Sequence, residues 1–373
     1  MTPSDRVFLQ ATIELAELGR FTCAPNPTVG CIIVRNGAII GRGYHVLTGS
    51  GHAEVNAIAD AGGDVAGATV YISLEPCAFT GRTPACAQTL IDAQVARVVV
   101  AAGDPHPRVS GAGLKMLRAA GIQANLITQR EALDLIAGYT CRVLDNKPFV
   151  RIKTASSMDG ATALASGESQ WITGPQARDD VQYWRARSDA IITGIGTVLA
   201  DDPQLNVRAE QFRHVHQPLR VVLDAHLRTP SDARILNDGA ATLLVHNADA
   251  GIPEHLRDLA QSQAQNDVQE EAGQVRLLAL NDGPRDLSAV LTHLADRGCN
   301  EVLVEAGPQV CGSFVEAELW DEWLCYVAPK WLGSASRNLA DFSLAVLADA
   351  PQGNIIEFIK TGDDMRVRVE PSQ

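Results

Sequence analysis

Short apolar runs, each followed by an amphipathic stretch, alternate along nearly the whole of the 373-residue chain. That alternation constrains the fold most, because strands that each need a covering helix settle as layered α/β units rather than as bundles or sandwiches. Phe8, Ala11, Leu15 and Leu18 share one face of an expected helix, with Ser4 as its cap and Gly19 as its stop. Strands at 29–34 and 38–44 follow, joined through Asn36-Gly37, a pair suited to a type I′ hairpin. Helices at 52–61, 84–93 and 114–120, interleaved with strands at 69–74, 96–101 and 122–127, complete a first three-layer unit. The polar joint Asp145-Asn146-Lys147-Pro148 interrupts the pattern, which places a first domain at 1–145 and a second at 147–373. The second series has strands at 149–154, 190–194, 219–223, 242–245, 275–280, 301–305 and 323–327, helices at 175–187 and 287–297, and an antiparallel pair over 355–369. Between these lies 247–271, rich in Gln, Asp and Ala and expected to be a surface segment with one helix.

Charge narrows the function. Lys and Arg number 31 against 44 Asp and Glu, a net −13. Residues 1–146 hold 11 basic and 12 acidic side chains, which leaves 20 and 32, a net −12, for the rest. Such a balance repels nucleic acid and anionic membrane surfaces. No apolar run approaches the roughly 18 residues of a membrane span, and residues 1–20 lack the basic and apolar regions of a signal peptide. A cytoplasmic protein with neither nucleic acid nor membrane as partner is expected. Most of the eight cysteines then read as reduced, buried small hydrophobes.

Cys77 and Cys86 stand apart. His52-Ala53-Glu54 opens a helix, Glu75-Pro76-Cys77 closes a strand, and Cys86 follows nine residues later. One imidazole and two thiolates leave the fourth tetrahedral position of zinc open, the arrangement of a catalytic rather than a structural site. Zinc brings the pKa of bound water toward neutrality, and Glu54, two residues from the histidine, is placed to take that proton and pass it to a leaving amine. The order H-x-E, then P-C and a second cysteine, is the signature of zinc deaminases. The short-spaced form of that signature puts its cysteines one helical turn apart, whereas here a loop, 78–85, leaves and returns; it carries Arg82, a cation suited to a substrate phosphate. Cys31, a conceivable fourth ligand, sits in an apolar strand and is expected to pack in the core.

The second half carries a weaker signal. Residues 300–308 read as a strand ending in a Gly-Pro turn, and 309–316 as a helix. Such a junction can present backbone N–H groups to a pyrophosphate, but it is also common in proteins without one, and it is not the G-x-G-x-x-G fingerprint.

Longer motifs extend both readings. Pro25-Asn26-Pro27-Thr28-Val29-Gly30-Cys31, Gly43-Tyr44-His45, His52-Ala53-Glu54-Val55, Leu74-Glu75-Pro76-Cys77 and Gly81-Arg82-Thr83-Pro84 resemble the deaminase half of the bifunctional riboflavin-biosynthesis deaminase/reductase family. The runs 153–160, 166–173 and 196–208 resemble its reductase half. The resemblance spans essentially the whole chain. It implies a cytidine-deaminase-like three-layer domain followed by a dihydrofolate-reductase-like α/β domain. In the first, His52, Cys77 and Cys86 would bind zinc, Glu54 would move protons, and Asn26 would touch the pyrimidine. In the second, Ala155, Trp171, Thr197, Asp201 and the turn Gly307, Pro308, Gln309, Val310, Cys311, Gly312 and Ser313 would contact NADPH. Ser169, Arg185, Leu205, Arg208 and Glu305 would contact a phosphorylated ribosylaminopyrimidine. Lys153 and Asp201 are the ionisable candidates for positioning or protonating the opened sugar, with an ordinary ion pair or helix cap as their plainer role, and Trp171 could equally be a core aromatic.

The implied activity is hydrolytic deamination of 2,5-diamino-6-(ribosylamino)-4(3H)-pyrimidinone 5′-phosphate, then reduction of the ribose to a ribityl chain, by a homo-oligomer. The sequence departs from the family at Ala78-Phe79, where the pattern after the first cysteine is Ser-His or Cys-His. Two polar loop contacts are thereby lost, which leaves open a working reductase beside an impaired or inactive deaminase; a nucleoside or nucleic-acid deaminase is a further alternative.

Overall fold

The computed structural model describes residues 2–79, 84–257 and 274–372. Arg82 and most of the expected helical segment within 247–271 lie outside the described residues. The chain divides into two compact units, Met1–Lys147 and Pro148–Gln373.

In the first unit a five-stranded sheet has the order β2-β1-β3-β4-β5, formed by Gly30–Arg35 (β1), Ala38–Tyr44 (β2), Thr69–Ile72 (β3), Arg97–Val100 (β4) and Gln123–Leu126 (β5). β1 is antiparallel to β2 and β3, and β3, β4 and β5 run parallel. The hairpin pairs Arg35 with Ala38. Asn36 and Gly37 both take positive φ, 52° and 79°, as the two-residue turn requires. Helices Pro3–Ala16 (α1), Ala53–Asp60 (α2), Cys86–Asp92 (α3), Ala112–Ala119 (α4), Arg130–Leu135 (α5) and Ala137–Asp145 (α6) cover the sheet. Thr2, not Ser4, caps α1. Its hydroxyl accepts the Asp5 N–H and the Asp5 carboxylate accepts the Thr2 N–H, a reciprocal pair that Ser4 cannot make. Buried apolar side chains fill both faces: Cys31, Ile33, Val70 and Ile72 on one, Ile32, Val34, Tyr71 and Val99 on the other.

The second unit is built on nine strands: Phe149–Ser157 (β6), Ala190–Gly194 (β8), Leu219–Leu223 (β9), Thr242–Asn247 (β10), Val275–Leu280 (β11), Glu301–Val304 (β12), Glu322–Ala328 (β13), Gly353–Thr361 (β15) and Asp364–Pro371 (β16). Their order is β11-β10-β9-β8-β12-β6-β13-β16-β15, parallel from β11 through β13 and closed by the antiparallel β16 and β15. Ala161–Ala163 (β7) and Arg337–Asn338 (β14) form a separate ribbon. Helices Pro175–Arg187 (α7) and Ile195–Asp201 (α8), with helices Leu287–Asp296 and Pro308–Glu316, pack on the large sheet.

A buried ion-pair network fixes α7 on this sheet. Arg151 of β6 bonds Glu322 at 2.8 Å and Glu301 at 2.9 Å, Arg187 of α7 bonds Glu301 at 2.7 and 2.8 Å, and Arg368 of β16 bonds Glu322 at 2.8 Å. Trp184 of α7 lies among four guanidinium groups, those of Arg151, Arg187, Arg366 and Arg368, 4.7–5.4 Å from its ring centre. Burial opposes ionisation of Glu322, but Arg151 and Arg368 outweigh it and hold the carboxyl at about 2. A carboxyl so depressed stabilises the fold above its unfolded pKa of about 4.3, and that stability is lost as pH falls toward 2. Glu322→Gln should therefore cost about 3–5 kcal/mol at neutral pH, the range for breaking one side of a buried pair. The gap from wild type should narrow as pH falls from about 4.5 toward 2. All five tryptophans lie beyond residue 170, so their fluorescence during urea unfolding reads this unit; a pH-independent gap would refute the assignment.

Candidate functional site

His52 is the N-cap residue of α2, which its partner strand approaches closely. A Cβ on Gly43 of β2 would lie 2.3 Å from the Ala57 nitrogen and 2.4 Å from the Ala53 carbonyl oxygen, so only glycine lets the strand and helix meet. Cys86 is the first residue of α3, and its N–H donates to the Cys77 sulfur at 3.2 Å. Cys77 follows β3 through Glu75-Pro76. The buried Glu75 carboxylate accepts the N–H groups of Gly111, at 2.9 Å, and Leu114, at 3.1 Å, and so ties the strand end to the start of α4. A Cβ on Gly113 would sit 2.0 Å from the Pro76 carbonyl oxygen, which leaves that approach to glycine as well.

These supports bring the ligand atoms of His52, Cys77 and Cys86 within 4.8 Å of one another. The Nδ1 of His52 is 3.1 Å from the Cys86 sulfur and 3.9 Å from that of Cys77. Two soft sulfurs and one imidazole nitrogen, converging at a helix N-terminus that favours thiolate, fit zinc with one position open. The hydrogen bond from Cys86, with help from His52, draws the Cys77 thiol down to about 4, and the same shared proton, together with burial, pushes Cys86 up. Glu54 is buried in the first turn of α2, and burial raises its carboxyl above the usual range. Cys31 is fully buried in the apolar core of the sheet and outside the metal cluster.

A cavity of about 690 Å³ opens beside this cluster, lined among others by Asn26, His45, His52, Glu54, Cys77, Asp104, Arg108 and Tyr139. The amide of Asn26 donates to Nε2 of His45 at 3.0 Å, and Nδ1 of His45 donates to the Gly51 carbonyl at 3.2 Å. Asn26 is thus oriented at the cavity wall. Sequence reasoning named Glu75 only as part of its motif, with no role of its own, and passed over Asp104 and Tyr139. Glu75 and Asp104 are carboxylates in buried stretches, a signal in itself, whereas Tyr139 enters through α6, a helix that no motif marked.

In the second unit Lys153, Arg185 and Glu305 converge at the C-terminal ends of parallel strands, where α/β folds place ligands. Arg185 of α7 donates to Glu305 from Nε at 2.6 Å and from Nη2 at 2.9 Å, and Lys153 of β6 lies 3.7 Å from the same carboxylate. Burial resists the Glu305 charge, but Arg185 and Lys153 hold the carboxyl at about 2; burial lowers Lys153. Asn206, also passed over, links the two arginines: its carbonyl accepts from Arg185 at 3.2 Å and its side-chain oxygen from Arg208 at 3.3 Å. Arg208 is exposed and Leu205 buried, and Ser169 is half-buried.

Gly307 caps the Pro308–Glu316 helix in extended conformation with no side chain bonding its first N–H groups. Thr197 of α8 lies beside it, its hydroxyl oxygen 3.9 Å from the position of a Gly307 Cβ. An uncapped helix start between the ends of adjacent strands β8 and β12 fits the diphosphate of a dinucleotide. Within that turn Gln309 and Ser313 are exposed and Pro308 and Val310 half-buried, whereas the side chain of Cys311 packs in the core and Gly312 is buried. Ala155 is half-buried on β6 and Asp201 exposed at the end of α8. Trp171 is 61% exposed with Arg178 4.4 Å from its ring centre, so it is not a core aromatic.

Residues 148–346 match the family model described as the RibD C-terminal domain, and residues 2–102 that of the cytidine and deoxycytidylate deaminase zinc-binding region. The riboflavin biosynthesis protein RibD of Escherichia coli strain K12 is 41% identical over 375 residues, covering 97% of this chain and 98% of that protein. The chain belongs to the RibD family. RibD of Haemophilus influenzae is 40% identical over 384 residues, with 98% and 97% covered. Among solved structures, Acinetobacter baumannii RibD superposes with a TM-score of 0.87 at 40% identity, covering 99% of both chains. The diaminohydroxyphosphoribosylaminopyrimidine deaminase/5-amino-6-(5-phosphoribosylamino)uracil reductase of Thermotoga maritima gives 0.86 at 29%, again over 99% of both. RibD relatives thus match both halves in one continuous stretch, and the expected fold classes hold for each. Among the described residues no helix is long and apolar enough to cross a membrane.

Proposed function

We propose that this chain carries out two consecutive steps of riboflavin biosynthesis: zinc-dependent deamination of the diamino-ribosylamino-pyrimidinone 5′-phosphate, then NADPH-dependent reduction of its ribose to a ribityl chain. The observation that carries the reading is the intact donor set of His52, Cys77 and Cys86 beside a buried Glu54, in a chain whose remainder matches the RibD reductase model. It speaks against an inactive deaminase, since the Ala78-Phe79 departure leaves every metal-binding and proton-moving group in place.

In the first unit, residues 1–145 in this reading, His52 Nδ1 and the sulfurs of Cys77 and Cys86 hold the metal. Zinc there supplies the Lewis acidity that makes water a nucleophile near neutral pH. Glu54 takes the proton that water loses and returns it to the departing amine, a transfer helped by the raised proton affinity that burial gives it. Asn26, oriented by His45, meets the pyrimidine, and Arg82 adds a cation for the phosphate.

In the second, residues 147–373, NADPH supplies the hydride for the sugar carbon. Gly307–Ser313, Ala155, Trp171, Thr197 and Asp201 surround the cofactor. Arg208, assisted by Ser169 and Leu205, grips the substrate phosphate, while Arg185 is held by Glu305 at the same wall. Lys153 is the group placed to move a proton to the opened sugar. A reducing cytoplasm suits the paired free thiols. A second copy of the chain would cover the edge strand β15, where Ile355 and Phe358 are 67% and 62% exposed.

Glu54→Gln should keep about one zinc per chain by metal analysis and lose roughly a hundredfold or more of ammonia release, the scale of a missing general acid–base. Turnover at the wild-type level would remove Glu54 from the reaction. Arg208→Ala should weaken binding of the phosphorylated reductase substrate by about 1.5–3 kcal/mol, the range for hydrogen bonds to charged groups. A Michaelis constant for NADPH-dependent reduction that does not move would reject the assignment.

A further inference from the structure

Arg108 lines the same cavity as His52, Cys77 and Glu54, and the deamination steps above make no use of it. Its guanidinium carbon lies 4.3 Å from the centre of the Phe79 ring, within cation–π range. The His106 ring stands 6.3 Å from that of Phe79, and Nδ1 of His106 accepts the Arg108 backbone N–H at 3.1 Å. The residue is therefore fixed at both ends, by its backbone and by an aromatic platform under its charge. Among the described residues neither an ion pair nor a hydrogen bond occupies the guanidinium, and the side chain is exposed at the cavity wall. A planar fork of N–H donors, ordered in advance and left unpaired, suits a doubly charged phosphate. A cavity of about 690 Å³ has room for a pyrimidine together with its sugar phosphate.

Phe79 is one of the two positions where the loop after Cys77 gives up a polar side chain relative to the family pattern. Its ring provides instead the surface on which Arg108 rests. We infer that Arg108, held by Phe79, is a specificity-determining residue of the deaminase site, binding the 5′-phosphate of the substrate in place of the polar contacts that the loop has lost. The inference rests on the deaminase reading of this cavity.

Ammonia release measured with the phosphorylated substrate and with its dephosphorylated counterpart tests it. Arg108→Ala should raise KM for the phosphorylated substrate about tenfold, with the effect on KM rather than kcat, and leave KM for the dephosphorylated one in place. Arg108→Lys should recover part of the loss, and Phe79→Leu should move KM the same way by a smaller factor. Added salt should raise the phosphorylated KM more steeply in wild type than in Arg108→Ala. A KM that does not respond to Arg108→Ala, or that rises equally for both substrates, overturns the inference.

A second measurement needs no turnover. In protein labelled with 4-fluorophenylalanine, ribose 5-phosphate should shift the Phe79 fluorine resonance, assigned through Phe79→Leu, in wild type and not in Arg108→Ala. No shift in wild type overturns the phosphate assignment. A shift that Arg108→Ala abolishes, without any ammonia release by wild type, would support the phosphate site and remove the deaminase reading instead.

Discussion

Two helix starts meeting at the end of one strand decide what the first unit can do. The N-terminus of α2 carries His52 and Glu54, and that of α3 carries Cys86 and donates its N–H to the sulfur of Cys77. The positive ends of both helices favour thiolate and carboxylate there, and the packing that brings them together leaves no slack. Gly43 lets β2 lie directly on α2, and Gly113 lets α4 lie directly on Pro76. A side chain at Gly43 or Gly113 would therefore force these segments, and the ligand residues they carry, apart.

Charge plays a comparable part in the second unit in another form. With a net −12 over residues 147–373, a site for an anionic substrate and an anionic cofactor needs its cations placed where the acidic surface cannot neutralise them. The fold achieves this by spending carboxylates internally. Glu301 and Glu322 are buried against Arg151, Arg187 and Arg368, and Glu305 is buried against Arg185 and Lys153. The first set fixes α7 on the sheet, and α7 carries Arg185 to the wall where Lys153 waits. The ion pairs of Arg185 with Glu305 and of Arg187 with Glu301 are thus neighbours on one helix.

Much of this was legible in the sequence because it is carried by local pattern. Strand and helix alternation, the Asn36-Gly37 turn and the H-x-E and P-C signals are written in adjacent residues, and the structure forms those elements within a few positions of where the pattern puts them. Long-range partners are not so written. Nothing near Glu75 announces that it will accept N–H groups from Gly111 and Leu114, and nothing near Trp184 announces four arginines from two strands and its own helix. α6 lies outside the quoted motifs, although its Tyr139, Arg142 and Val143 line the cavity. The cap of α1 was misplaced by two residues because Ser4 and Thr2 are equivalent by composition, and only the returning Asp5 carboxylate separates them.

One chain is expected to perform both steps in order, each with its own site. The most direct measurement supplies the purified protein with zinc, NADPH and the diamino-ribosylamino-pyrimidinone phosphate, and follows ammonia release and NADPH oxidation in the same reaction. Ammonia should appear first and NADPH oxidation after a lag, with the two reaching equal amounts. A zinc chelator should stop both, and added deaminated intermediate should then restore the oxidation alone. NADPH oxidation with no ammonia, or ammonia whose co-product is never reduced, would contradict the account.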